Sequence, residues 1–263
     1  MLPFPLVWLI PLLLQATLQP ERDDYPASVY QVSLPVDGTL TVVAGLGIAL
    51  PYAFSNQLLR PSCPCDPRSV NAFDRAALGQ HSAVADVLSD VTVGLAWLLP
   101  MLGDSIDTRV SRAFYEDILV YAETLAVNGA LVTGAKYLVA RPLPLAYGGV
   151  PGLVSSPNGY RSFYSGHTSN AAAATMFAAM TLRLRHGEHV WPWLLATAVT
   201  LSVGTERVVA GRHFPTDVLV GGAVGTLVGV LVPWLHRRRT PFIPSLSPTP
   251  RADGAQLTWV GTL

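Results

Sequence analysis

Lysine is almost absent from this chain, cysteine is limited to two residues, and charge of either sign is sparse. Lys136 is the only lysine and the other basic residues are arginines. Charged residues make up 13% of the chain and the formal net charge is zero. That fraction is about half of the ~25% found in soluble domains. A neutral chain without a basic or aromatic-interleaved patch has no footprint for nucleic acid. Cys63 and Cys65 bracket Pro64, and the lack of a second cysteine pair excludes a cysteine zinc site. The two are free, or form a tight disulfide if their loop is extracytoplasmic, and carry no catalytic role.

What is abundant is apolar: half of the residues are hydrophobic. The predicted fold class is therefore all-α, a polytopic transmembrane helical bundle in the lipid bilayer. Residues 1–20 carry no charge and resemble a signal-peptide h-region, without a basic n-region and with a poor cleavage site at Gln15-Ala16-Thr17. Six apolar stretches follow, at 39–59, 83–102, 118–135, 168–182, 190–205 and 218–235, which makes 39–236 one membrane domain. The last stretch repeats Gly221, Gly225 and Gly229 every four residues, a ridge of small residues for close helix packing. Asp86, Asp90 and Glu123 lie inside the stretches, where carboxylates are expensive, so interhelical hydrogen bonding is expected of them. The loop at 60–82 is expected to be solvated, and His81, His186, His189 and His236 to sit at interfaces. The tail at 237–263, rich in Pro, Ser and Thr, is predicted to be disordered.

Polar residues collect at three helix ends. Lys136 and Arg141 follow the third stretch, Ser165-Gly166-His167 precede the fourth, and Arg207, His213 and Asp217 lie between the fifth and sixth. If the six spans alternate through the bilayer, all three groups emerge on one face. His213 and Asp217 are four residues apart, so a helical segment puts them on one side. A carboxylate bonded to one imidazole nitrogen would fix the tautomer and free the other nitrogen for attack on an electrophile. The lysine and arginines suit the equatorial oxygens of a transferring phosphoryl group. Ser165 and the N–H groups of Gly166 and His167 open a helix, where an anion is favoured. His213 is read as the nucleophile and His167 as the acid that protonates the leaving oxygen and then activates water. Cationic side chains do the neutralising, so no metal or cofactor is expected.

The segments KYLVARPLP, FYSGHTS and ERVVAGRHFPTD resemble the three signature motifs of the type 2 phosphatidic acid phosphatase superfamily, KxxxxxxRP, PSGH and SRxxxxxHxxxD. The resemblance implies a membrane phosphatase acting on a lipid-linked phosphate or diphosphate. It implies His213 as nucleophile, His167 as acid and Asp217 as orienter, with Lys136, Ser165, Gly166 and Arg207 holding the phosphate. Tyr164 replaces the motif proline and Glu206 the motif serine. Counting from Lys136, the motif arginine falls at Leu143, and Arg141 is expected to serve as the phosphate ligand instead. Two alternatives use the same residues: a phosphotransferase that passes the phosphoryl group to an alcohol, and a lipid-phosphate binder without turnover. The lipid and the oligomeric state carry no readable signal.

Arg109, Arg112, Arg183, Arg185 and Arg237 to Arg239 lie on the face opposite the motifs, so the positive-inside rule puts the motif face outside the cytoplasm, as in a bacterial inner membrane. Chain parity depends on residues 1–20. If they span, or are cleaved ahead of six spans, the motif face is cytoplasmic; an uncleaved, non-spanning segment returns it to the outside.

Overall fold

A computed structural model describes residues 27–238 and the backbone of 245–251 and 254–260; the apolar segment at 1–20 and the rest of the tail lie outside the described residues. Six long helices form the bundle: α1 (Leu34–Ala53), α2 (Ala83–Thr108), α3 (Arg112–Val139), α4 (Gly166–His186), α5 (Trp191–Val209) and α6 (Pro215–His236). Each overlaps one of the predicted stretches. Among the described residues, α1, α2, α3 and α6 are long and apolar enough to cross a membrane. The expectation of six spans is met in helix number but not in apolarity. α4 is alanine-rich and ends in Arg183, Arg185 and His186, and α5 carries Glu206 and Arg207 in its last turn.

The helices outrun the apolar stretches because charged residues serve at their ends. α1 starts at Leu34, where Pro35 presets the first turn and Asp37 accepts a 2.6 Å hydrogen bond from Ser33 N–H. Ser82 and Ser111 cap α2 and α3 with their hydroxyls. α4 is the central element, with Ala171 to Ala174 fully buried. The glycine ridge of α6 lies directly on its backbone. A Cβ at Gly221, Gly225 or Gly229 would stand 2.6, 2.1 and 2.5 Å from the carbonyl oxygens of Ser165, Ser169 and Ala173. Two helices approach this closely only where one lacks side chains.

The outward surface is apolar: Val84, Ile106 and Leu138 are 78, 80 and 88% exposed, and many leucines and valines of α1, α2 and α5 join them. Such an area has no place in water and fits hydrocarbon. This is an integral membrane protein. Its polar interactions collect at the two ends of the bundle. At one end Arg185 of α4 bonds Asp104 of α2 at 3.3 Å and also Asp117 of α3. At the other lie the three motif segments. Beyond α6, β1 (Ser245–Arg251) and β2 (Gly254–Val260) pair as an antiparallel hairpin, where composition led to an expectation of no fixed structure. Over 256–260, Leu257, Thr258, Trp259 and Val260 supply the strand-favouring residues that the proline count obscured.

Candidate functional site

The turn between α5 and α6 carries His213. It closes through Gly211, at φ +70°, where a Cβ would stand 2.0 Å from the Gln80 carbonyl oxygen. Only glycine fits that backbone at that distance. His213 is 4% exposed and its Nδ1 lies 2.8 Å from the Ser162 carbonyl oxygen. A carbonyl only accepts, so Nδ1 carries the proton and Nε2 the lone pair. Burial pushes the imidazolium pKa down to about 3, against the opposing pull of Asp217, so the ring is neutral at pH 7.

Asp217 is not the hydrogen-bond partner that the four-residue spacing predicts. Its Oδ2 is 3.9 Å from His213 Nδ1. It accepts instead from Ser162 Oγ at 2.6 Å and from Phe214 N–H at 3.0 Å, capping α6, and its Oδ1 accepts from Arg141 at 2.5 Å. The carboxylate therefore fixes the segment that holds the imidazole from both sides, and Ser162 supplies the direct contact through its backbone.

Arg141 also departs from expectation. Its guanidinium donates to Asp217 and Thr216 on one arm and to Asp74 on the other, at 2.7 Å, while stacking 4.0 Å above the Phe214 ring. It is not among the residues that line the cavity. The structure gives it a bracing position between two carboxylates, because those acids outcompete an open pocket for the fork of donors. Asp74, expected in a solvated loop, is fully buried. Burial opposes its ionisation, yet bonds from Arg141, Thr216 and Asn71 hold its carboxyl below the usual carboxylate range.

The cavity beside His213 has a volume of about 540 Å³ and is lined by Lys136, Arg161, Gly166, His167, Arg207, Arg212 and His213 at its polar end. Ile48, Trp97, Leu125, Ala126 and Val132 form an apolar wall. Lys136 donates to the Arg161 carbonyl at 2.6 Å. Gly166 leaves room for it, since a Cβ there would stand 3.6 Å from Lys136 Cε and 3.2 Å from Val132 Cγ1. Arg207 is buried and donates to Asp86 at 2.8 Å and to Ser89 at 3.0 Å, and Arg212 donates to Asp86 at 2.6 Å. One intramembrane acid thus aims two guanidinium groups. Asp90, a turn further along α2, accepts from His167 Nε2 at 2.7 Å. Ser165 spends its hydroxyl on capping α4 through Thr168 and is fully buried, so it shapes the helix start rather than facing the cavity.

Of the residues expected to meet, Lys136, Gly166, His167, Arg207 and His213 converge on one cavity, while Asp217, Arg141 and Ser165 stand behind it. Sequence reasoning missed Arg161, Arg212 and Ser162. Arg212 adjoins His213 in sequence, which was an available signal; nothing local marks Arg161, which arrives through the 141–165 loop and lies 4.8 Å over the Tyr52 ring.

Residues 117–241 match the family described as PAP2 superfamily, a span containing all three motif segments. The Lipid A 1-phosphatase of Porphyromonas gingivalis is 34% identical over 128 residues, which is 48% of this chain and 25% of that protein. The chain thus spans about a quarter of that relative's length. Two solved structures are also similar. LpxE of Aquifex aeolicus is 25% identical, with TM-score 0.43, over 60% of this chain and 90% of that one. A PAP2-type phosphatidylglycerolphosphate phosphatase from Bacillus subtilis is 20% identical, with TM-score 0.44, over 76% and 94%. The motif segments and the family match fall in the same part of the chain, so residues 117–241 are similar to the PAP2 superfamily.

Proposed function

We propose that this protein is an integral membrane phosphatase that hydrolyses a lipid-linked phosphate or diphosphate through a phosphohistidine on His213. The observation that carries the reading is one cavity in which an imidazole with a free Nε2 lone pair stands among Lys136, Arg161, Arg207 and Arg212. The opposite wall is apolar, as an acyl or prenyl chain requires. His213 Nε2 forms a bond to phosphorus as the bond to the lipid oxygen breaks, and the proton of His167 goes to that leaving oxygen. Ser162 carbonyl and the nearby Asp217 carboxylate offset the positive charge that develops on the attacking ring. Water then attacks phosphorus, giving its proton to His167, and the N–P bond breaks to release phosphate. The cations neutralise the equatorial oxygens, where charge develops in the transition state.

Arg161 and Arg212 take the position left by the motif arginine, since Leu143 lines the same cavity without charge. Asp86 and Asp90 are engaged by Arg207, Arg212 and His167, and the proposed reaction relies on these cations rather than on a metal. The lipid A relative favours a lipid A-type phosphate among the substrates. Cys63 and Cys65 are disulfide-bonded, and Cys63 N–H donates to Tyr160 on the cavity side. Disulfides persist in oxidising compartments, which with the arginine bias supports a site on the extracytoplasmic face of a bacterial inner membrane. A single-turnover reaction with radiolabelled substrate tests the intermediate: an acid-labile, alkali-stable label is expected on wild type and absent from His213→Gln. Normal turnover by the unlabelled variant would sink the mechanism.

A further inference from the structure

Away from the cationic end of the cavity, three ionisable side chains from three helices meet in the interior. Asp37 comes from the first turn of α1, Glu123 from α3 and His236 from the last residue of α6, and one ligand atom of each lies within 4.8 Å of the others. His236 Nε2 stands 3.5 Å from Asp37 Oδ1 and 3.5 Å from Glu123 Oε2. Neither contact is a good hydrogen bond, whose length is ~2.7–3.2 Å. Both match the spacing of two ligands on one small cation, since bonds of ~2.0–2.2 Å at tetrahedral angles separate donor atoms by ~3.3–3.6 Å.

The histidine is prepared for such an ion. His236 Nδ1 lies 2.9 Å from the Val232 carbonyl, which can only accept, so Nδ1 holds a hydrogen and Nε2 is the ring atom turned toward the two carboxylates. A cation between the three groups would satisfy all of them. Glu123 is 5% exposed, and among the described residues its Oε2 has no hydrogen-bond partner. A buried, unsatisfied carboxylate is costly. Asp37 is 6% exposed and gives its other oxygen to Ser33 N–H. Gln31 N–H bonds the His236 carbonyl at 2.7 Å, so the segment before α1 already clasps the end of α6.

We propose that Asp37, Glu123 and His236 form a binding site for one divalent first-row metal ion, of the zinc or manganese class. Two carboxylates balance the ion's charge, the imidazole nitrogen suits a borderline metal, and water completes the shell. Glu123 and Lys136 are about 20 Å apart along α3 at ~1.5 Å rise per residue. The ion therefore lies far from the cationic end of the cavity; it clamps the start of α1 to α3 and the end of α6.

The test uses the full chain, purified in detergent, stripped with EDTA and dialysed. Zn²⁺ and Mn²⁺ are titrated separately, with bound metal measured by mass spectrometry and Tm recorded. The expected result is saturation by at least one of them at one equivalent per chain with an upward shift in Tm. Glu123→Gln and His236→Gln should each lose at least tenfold in affinity. Co²⁺ should give visible absorption bands in wild type that His236→Gln lacks. Failure of both metals to bind stoichiometrically to the wild-type chain overturns the proposal in favour of a protonated His236 between two carboxylates, and needs no variant to fold. Unchanged affinity in either variant overturns it as well.

Discussion

Replacing Arg141 by methionine removes the cation that stands between two fully buried carboxylates while keeping much of the side chain's volume. Arg141 bonds Asp217 at 2.5 Å and Asp74 at 2.7 Å, and neither aspartate side chain has exposed surface. Stripping one partner from a buried pair costs about 3–5 kcal/mol, because the remaining charge has lost both water and partner. Loss of the stack over Phe214 adds about 1 kcal/mol. At ~2–4 °C per kcal/mol for a chain of this size, Tm should fall by about 6 °C or more. A phosphate ligand would behave differently: its loss would weaken substrate binding by about 1.5–3 kcal/mol and leave Tm nearly unchanged. The assay is thermal unfolding in detergent alongside steady-state phosphate release. The expected outcome is a large drop in Tm, a lower kcat as the Asp217–Ser162 support of His213 loosens, and KM within about tenfold of wild type. Adding Asp74→Asn should restore part of the lost Tm, since it removes an uncompensated charge from the same network. An unchanged Tm with KM raised more than about tenfold would refute the bracing role and return Arg141 to the phosphate.

Gly225→Ala should destabilise the fold by about 1–3 kcal/mol, because the new Cβ meets the Ser169 carbonyl at 2.1 Å, whereas Gly94→Ala, with nothing within 4 Å, should be neutral or mildly stabilising in thermal unfolding. Asp90→Asn should lower kcat more than it raises KM, by up to the ~10²-fold or more expected when an acid is mispositioned, since Asp90 holds His167 at 2.7 Å; equal effects on both constants would count against the orienting role. His213 is held at a pKa of about 3, below its unfolded value, so between these values the unfolded chain binds the extra proton and stability falls as pH drops from ~6.5 toward 3. His213→Gln should lose less stability over that window, measured by denaturation at a series of pH values.

The bundle was legible in the sequence because long, mostly apolar stretches leave few alternatives in a chain with so little charge. Helix ends were not, since Asp37, Glu206 and Arg207 lie within helices whose hydrogen bonds and caps outweigh the apolar count. The glycine ridge of α6 was readable from its period alone, and its contact with the backbone of α4 follows from the missing side chains. In the site, residue types were legible and partners were not. Spacing placed His213 and Asp217 together, yet the carboxylate is drawn to Arg141, Ser162 and the N-terminus of α6, and the imidazole to a backbone carbonyl. A carbonyl has no signature in sequence. The buried loop acid Asp74 and the cluster around His236 were missed for a related reason. Each is assembled from segments far apart in the chain, and neither has a local motif.

The central claim is that His213 attacks phosphorus without help from a metal. Phosphate release by the detergent-purified chain, in EDTA, from lipid A 1-phosphate, phosphatidylglycerophosphate, undecaprenyl diphosphate and phosphatidate measures it directly when wild type is compared with His213→Ala. The account predicts release from at least one lipid by wild type and none from the variant at an unchanged Tm. Equal release by His213→Ala would contradict it, as would wild-type release that disappears in the chelator while the chain stays folded and returns with added metal.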